Sequence, residues 1–144
     1  MIDLSSNIFV YRPVGQVFDF ISKAENDFQW QYGTLASAQI SEGAIGVGTF
    51  FRSIGHFMGR RSLSTFEITD YEPDNKYAYK SLSGPMNSQT FYTFERASGG
   101  TKINMSTHAS MVDLFPAKEG MLKKALKKQL LENLALLKDI LEAA

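Results

Sequence analysis

The C-terminal stretch from Pro116 to Glu142 is the feature that most limits what this chain can fold into. Its apolar residues recur every three or four positions, which is the spacing of one face of an α-helix. They are Met121, Leu122, Ala125, Leu126, Leu130, Leu134, Leu137 and Leu141. At ~1.5 Å per residue, such a helix extends for roughly 40 Å. The rest of the chain must therefore supply an apolar surface broad enough to cover it.

The surface predicted by the remaining residues is an antiparallel sheet. Stretches rich in β-branched and aromatic residues alternate with glycine, proline and asparagine turns, as in a series of β-hairpins. Strands are predicted at residues 2–10, 34–41, 49–58, 60–71, 76–82, 88–96 and 101–112. Pro13 opens a short helix with Val17 and Ile21 on its apolar face, and residues 25–31 form a second short helix.

These elements predict an α+β fold. An antiparallel sheet can bury one face and leave the other in water, so the long helix covers the buried face and the sheet curves around it. We expect a curved antiparallel sheet of about seven strands, a long C-terminal helix, and two short helices after the first strand. A length of 144 residues is typical of one domain, here residues 1–144.

Composition excludes several classes of function. The formal net charge is zero, which does not favour nucleic-acid binding. The chain has no cysteine and only two histidines, so neither thiol catalysis nor a three-histidine metal site can be built. The glycines of residues 43–48 lack the Lys-Ser/Thr of a phosphate loop and predict a hairpin or bulge instead. We predict no metal, no cofactor and no integral membrane contact, and we expect a cytoplasmic monomer or homodimer.

Several short motifs occur in a characteristic order along nearly the whole chain. They are Arg12-Pro13-Val14, VFDFI at residues 17–21, Trp30, GVGT at 46–49, EITDYEP at 67–73, GGT at 99–101 and NLALLKDILE at 133–142. Together they resemble the START-like helix-grip (SRPBCC) superfamily, in its polyketide cyclase/dehydrase and lipid-transport branch. The resemblance implies the same curved sheet around a helix. Members bind lipids, sterols, plant hormones or aromatic polyketides, and some catalyse cyclisation or dehydration without a universal catalytic motif.

The residues expected to line a cavity between sheet and helix are mostly aromatic. They are Phe51, Phe57, Phe66, Tyr77, Tyr79, Ser81, Tyr92, Met105, Leu122, Leu126 and Gln129. The resemblance places the strand face shared by Tyr77 and Tyr79 on the cavity, although both could equally be core residues. Small residues such as Ser53, Gly55 and Thr107 leave room that Val, Ile or Leu would fill. We therefore expect a cavity of roughly several hundred Å³, opening near the glycine-rich turn or the hairpin at Gly59.

Three functions are compatible with such a cavity. The first is binding of a hydrophobic or amphipathic small molecule, which is favoured because no nucleophile–base pair can be named. The second is a metal-free cyclase or dehydratase, in which Arg52 or Arg60 stabilises an enolate and Tyr79 or His56 is the acid or base. The direction of the side chains in strand 49–58 decides which of these residues reach the cavity. The third is a protein-interaction module, which a solidly filled interior would favour.

Overall fold

The computed structural model describes residues 1–111 and 116–144, except for the side chains of residues 116–118. The strands are β1 (Ile2–Val10), β2 (Thr34–Gln39), β3 (Phe50–Phe57), β4 (Arg60–Glu72), β5 (Lys76–Ser83), β6 (Met86–Ala97) and β7 (Gly100–Met111). The helices are α1 (Val14–Ser22), α2 (Asp27–Trp30), which follows a 3-10 turn at Ala24–Asn26, and α3 (Pro116–Ala143). All predicted elements are present, with ends within about two residues of the prediction. The predicted end of the last strand, Val112, lies outside the described residues.

The strands form one curved antiparallel sheet in the order β1-β7-β6-β5-β4-β3-β2. Strands β2 to β7 follow one another as hairpins, as the closely spaced turn signals indicate. Strand β1 lies beside β7, with Ile2 opposite Ala109 and Val10 opposite Thr101. The sheet wraps around α3, so the predicted α+β helix-grip arrangement is confirmed.

Among the side chains of α3 that the structure describes, the deeply buried ones lie in the C-terminal half. Leu130, Leu134 and Leu137 are 7%, 2% and 0% exposed, because they pack into the core on the inner face of the sheet. Met121, which the spacing predicts on the same apolar face, is 76% exposed, and Ala125 is also exposed. The prediction was wrong for these two residues. A helical period specifies a face, but burial also requires other parts of the fold to lie opposite that face.

The C-terminal end of α3 is attached to the turn between β1 and α1. The Glu142 carboxylate accepts hydrogen bonds from the Tyr11 backbone N–H at 2.9 Å and from the Lys138 ammonium at 2.7 Å. The Arg12 guanidinium donates to the backbone carbonyl of Glu142, in the last turn of the helix, and to that of Ala144, just after it. The hydrogen bond from Lys138, helped by that from Tyr11, lowers the pKa of Glu142. These contacts hold the buried half of α3 in register with the sheet.

His108 lies on the outer, solvent-facing side of the sheet, next to the buried Ala109. Its Nδ1 is 2.6 Å from a carboxylate oxygen of Asp3 on β1, and this hydrogen bond lowers the pKa of Asp3. Within residues 1–111 and 116–144, no group of three or more His, Asp or Glu residues is placed to hold a metal ion. No helix in those ranges is long and apolar enough to cross a membrane.

Candidate functional site

Four small residues leave a cavity beneath the N-terminal half of α3. Ser53 and Gly55 on β3 lie directly opposite Ser64 and Ser62 on β4, in two neighbouring pairs of the same register. All four line a cavity of about 190 Å³ between the strands and the helix. The cavity is smaller than the several hundred Å³ expected from the sequence. It is nevertheless larger than an engineered apolar cavity of about 150 Å³ that binds benzene.

Close packing of the backbone requires the glycine at position 55. A Cβ atom there would lie 2.3 Å from the carbonyl oxygen of Gly33, so a larger residue cannot be accommodated without moving the backbone. The same carbonyl accepts a hydrogen bond of 2.7 Å from the backbone N–H of His56. The segment after α2 therefore lies against β3 and forms one wall of the cavity, with Gln31, Tyr32, Gly33 and Thr34 lining it.

Aromatic side chains form the opposite wall. The rings of Phe51, Phe66 and Tyr79 contact one another with centroid distances of 5.0, 5.2 and 5.3 Å. These rings give the cavity an aromatic wall. Leu126 and Gln129 cover the cavity from α3, in the helical segment expected from the sequence. The Gln129 side-chain amide donates to the Tyr32 backbone carbonyl, so α3 is connected to the wall formed by residues 31–34.

A surface groove of about 480 Å³ adjoins the cavity between α3 and the β3–β4 hairpin, and we call it the helix groove. Cavity and groove share residues from both sides, namely Tyr32, His56, Phe57, Leu126 and Gln129. Met58, Leu122 and Ala125 add apolar surface to the groove alone. The groove lies at the hairpin around Gly59, which is one of the two openings expected. The second expected opening was the glycine-rich turn at residues 43–48, but no residue of this turn lines the cavity.

The structure brings six of the predicted lining residues together at the cavity. They are Phe51, Phe57, Phe66, Tyr79, Leu126 and Gln129. Leu122 lines the helix groove instead. Whether these residues bind a ligand stays a prediction, since the geometry establishes only that they surround the same space.

Four other predicted lining residues lie away from the cavity. Tyr77 and Tyr92 are 3% and 2% exposed, and their stacked rings belong to the core, which is the alternative that the sequence left open for Tyr77. Met105 packs against the same core. The Ser81 hydroxyl donates to the Met86 carbonyl at 3.0 Å and accepts from the Ser88 N–H at 2.9 Å. Ser81 therefore holds the β5–β6 hairpin, and its hydroxyl is already occupied.

The arginines proposed for an enolate do not reach the cavity. Phe51 faces inward, so the next residue, Arg52, is on the outer face of the sheet and exposed. Arg60 lies opposite Phe57 at the tip of the hairpin, where it is exposed and outside the cavity lining. The expectation that either residue projects into the cavity was wrong, because Arg52 lies on the opposite face of β3 and Arg60 lies at the exposed end of the hairpin. His56 has the same phase as Arg52 and is exposed, and it touches the cavity only at its rim.

Asp27 lines the cavity but was not predicted from the sequence. It is the first residue of α2, it is 8% exposed, and it lines the cavity. Among the residues whose side chains are described, none forms a hydrogen bond or an ion pair with its carboxyl group. Burial raises the pKa of Asp27 well above its ordinary value of 3.8, and the nearby negative charge of Glu25 raises it further. The sequence signal is that Asp27 precedes the buried Trp30 by three positions, on the same helical face.

Tyr79 is the predicted acid or base that does line the cavity. Burial raises the pKa of its phenol, and the negative charge of Asp27 acts in the same direction. Hydrogen bonding with Tyr92 and Thr90 opposes that rise. Tyr79 therefore keeps its proton at neutral pH, where it can donate a hydrogen bond but cannot act as a general base.

Solved structures with the same fold come from several bacteria. A START superfamily protein from Mycobacterium smegmatis aligns with a TM-score of 0.84 and 12% identity, over 99% of both chains. The Zhui aromatase/cyclase from Streptomyces sp. R1128 aligns with a TM-score of 0.80 and 13% identity, over 97% of this chain and 93% of that one. TTHA0849 from Thermus thermophilus aligns with a TM-score of 0.75 and 17% identity, over 98% and 94% of the two chains. At these identities, the similarity establishes the fold.

The family relationship is established by the sequence itself. No curated protein matches the chain. The model of the family described as polyketide cyclase / dehydrase and lipid transport matches residues 1–142. That match covers all the strands and nearly all of α3, and it confirms the START-like resemblance of the sequence motifs. The chain therefore belongs to the polyketide cyclase / dehydrase and lipid transport family.

Proposed function

We propose that this protein is a cytoplasmic carrier or sensor that binds a hydrophobic or amphipathic small molecule, such as a lipid or an aromatic polyketide. The molecule would occupy the cavity between the sheet and α3 and extend into the helix groove. The observation that carries this proposal is the pairing of small residues, Ser53 with Ser64 and Gly55 with Ser62, directly beneath the helix. Protein interiors normally fill to crystal-like density, so a sheet that only supported α3 would carry large aliphatic residues there.

The chemistry of the cavity supports the same proposal. Its wall of Phe51, Phe66 and Tyr79 offers apolar surface, while Ser62, Ser64 and other hydroxyls offer a few polar contacts. Ligand sites are typically apolar concavities with a small number of placed polar groups. The family description includes lipid transport, which is consistent with a carrier of this kind.

Filling the cavity should abolish binding without unfolding the protein. We expect Ser62→Leu to weaken the binding of a fluorescent apolar probe by about tenfold or more, because the added side chain occupies the space that the probe needs. The probe's fluorescence is titrated with wild-type and variant protein, and thermal unfolding shows that the variant is folded. Ser5→Leu is the matched control, since Ser5 is exposed on the outer face of β1.

The proposal fails if the wild-type protein does not bind the probe. It fails equally if Ser62→Leu, the larger Ser62→Phe and the control Ser5→Leu all bind it as tightly as the wild type does, because the probe would then occupy another surface. Ser62→Phe provides a second, larger filling if leucine leaves enough room for the probe.

A polyketide cyclase or dehydratase is the second candidate, and Asp27 is the observation that favours it. A buried carboxyl whose pKa is raised holds its proton more tightly than an exposed one and can act as a general acid toward a substrate carbonyl. On this alternative, Asp27→Asn should lower kcat for a poly-β-ketone substrate by about a hundredfold or more. Product formation followed by mass spectrometry distinguishes the two candidates, because a carrier leaves the compound unchanged.

A further inference from the structure

The most informative polar group in the cavity is the carboxyl of Asp27. It is buried to more than nine-tenths, it lines the cavity, and no described side chain forms a hydrogen bond or ion pair with it. An unpartnered carboxyl is costly to bury, so such groups are normally paired or serve a site. A structural role would require a partner within the protein. Its position instead leaves the carboxyl available to whatever enters the cavity.

The charges around the cavity indicate what kind of partner would suit this carboxyl. None of the described residues that line the cavity is a lysine or an arginine, and the adjoining helix groove is lined by one lysine, Lys128, and one glutamate, Glu132. The ionisable groups that interact electrostatically with Asp27 are the Glu25 carboxylate and the phenols of Tyr77, Tyr79 and Tyr92, all neutral or negative. His56 at the rim is exposed. The interior is therefore suited to a positive charge and unsuited to an anion.

The aromatic wall favours the same sign of charge. Phe51, Phe66 and Tyr79 line the cavity together with Asp27. The faces of aromatic rings attract ammonium groups, and more strongly when the site is shielded from water. A carboxyl group and several aromatic rings around one space are the elements of an ammonium site.

Resting on the proposed function above, we propose that the ligand is an organic cation: a protonated amine on an apolar, ring-bearing body, whose positive charge pairs with the Asp27 carboxylate. The ammonium group lies in the cavity beside Asp27 and the aromatic wall. The apolar body extends past Leu126 and Gln129 into the helix groove, which Leu122 and Met58 line. Binding ionises Asp27, and the proton that its carboxyl loses is released to the solvent.

The test uses three ligands that differ only in their head group: phenylpropylamine, phenylpropanol and phenylpropanoic acid. Affinities are measured by calorimetry with the full chain near neutral pH. We expect the amine to bind wild-type protein about tenfold or more tightly than the alcohol, and the acid to bind most weakly. In Asp27→Asn, which keeps the shape but removes the charge, the amine and the alcohol should bind equally to within about threefold. Asp19→Asn, at an exposed position on α1, should keep the wild-type preference.

Proton release on binding distinguishes a ligand-binding role of Asp27 from a structural one, because a carboxyl with only a structural role would release no proton when the amine binds. At about pH 5, the amine should release a proton from wild-type protein, seen as a binding enthalpy that depends on the buffer, whereas the alcohol should not. Asp27→Asn should abolish the release.

An alcohol or an acid that binds wild-type protein as tightly as the amine overturns the inference and leaves the proposed function standing. An amine preference that persists in Asp27→Asn also overturns it. If none of the three ligands and no apolar probe binds, the proposed function fails together with the inference.

Discussion

Replacing Leu134 with alanine should lower the free energy of unfolding by about 2–5 kcal/mol. Leu134 is 2% exposed at the centre of the buried half of α3, where it packs against the inner face of the sheet. The substitution removes that contact and leaves a void which the curved sheet and the helix can close only in part. Denaturant titration of both proteins measures the difference, with the midpoint and slope compared to verify a two-state transition.

Leu136→Ala is the matched control, because Leu136 lies on the same helix and is 43% exposed. We expect this change to cost less than about 0.5 kcal/mol, as surface substitutions generally do. If the two variants lose equal amounts of unfolding free energy, α3 does not pack against the sheet through the face formed by Leu130, Leu134 and Leu137. The helix-grip packing described above would then be wrong.

Asp27→Asn should make the protein more stable at neutral pH, and the difference should grow as pH rises. Burial raises the pKa of Asp27 in the folded protein above its unfolded value, so the folded state binds the proton more tightly. The wild-type protein therefore has its full stability below the pKa that Asp27 has in the unfolded chain. It loses stability as the pH rises through the pKa that Asp27 has in the folded protein. Asparagine resembles the protonated acid, so it avoids this loss. The difference between the two proteins should change by up to about 1.4 kcal/mol per pH unit in that range.

Unfolding titrations from about pH 4 to about pH 8 measure this difference directly. Asp3 and Glu142 have lowered pKa values, so their contributions are lost as pH falls, but both proteins carry them and they cancel. Asp19→Asn should show a difference that varies little with pH, because Asp19 is exposed. A constant difference between wild type and Asp27→Asn would mean that the carboxyl is not held in its neutral form by the fold.

The aromatic residues of the cavity show how much of the site could be predicted from the sequence. Phe51, Phe66 and Tyr79 were predicted to surround one space, and the structure places their rings in mutual contact. Tyr92 was predicted with them but lies in the core. The alternation of a strand identifies the face on which a residue lies, whereas its position along that face relative to the helix depends on how the strands cross it.

The sequence by itself determined the order and type of every described element, because helical and strand periods are local properties of a few consecutive residues. It also determined that small residues at Ser53 and Gly55 would leave space. The tertiary structure alone decided which way Arg52 points, because a shift of one residue in a strand reverses its faces. It also decided that Met121 lies in water and that Asp27 lies in the cavity. Burial of a side chain depends on what the fold brings opposite to it, and those residues are distant in the sequence.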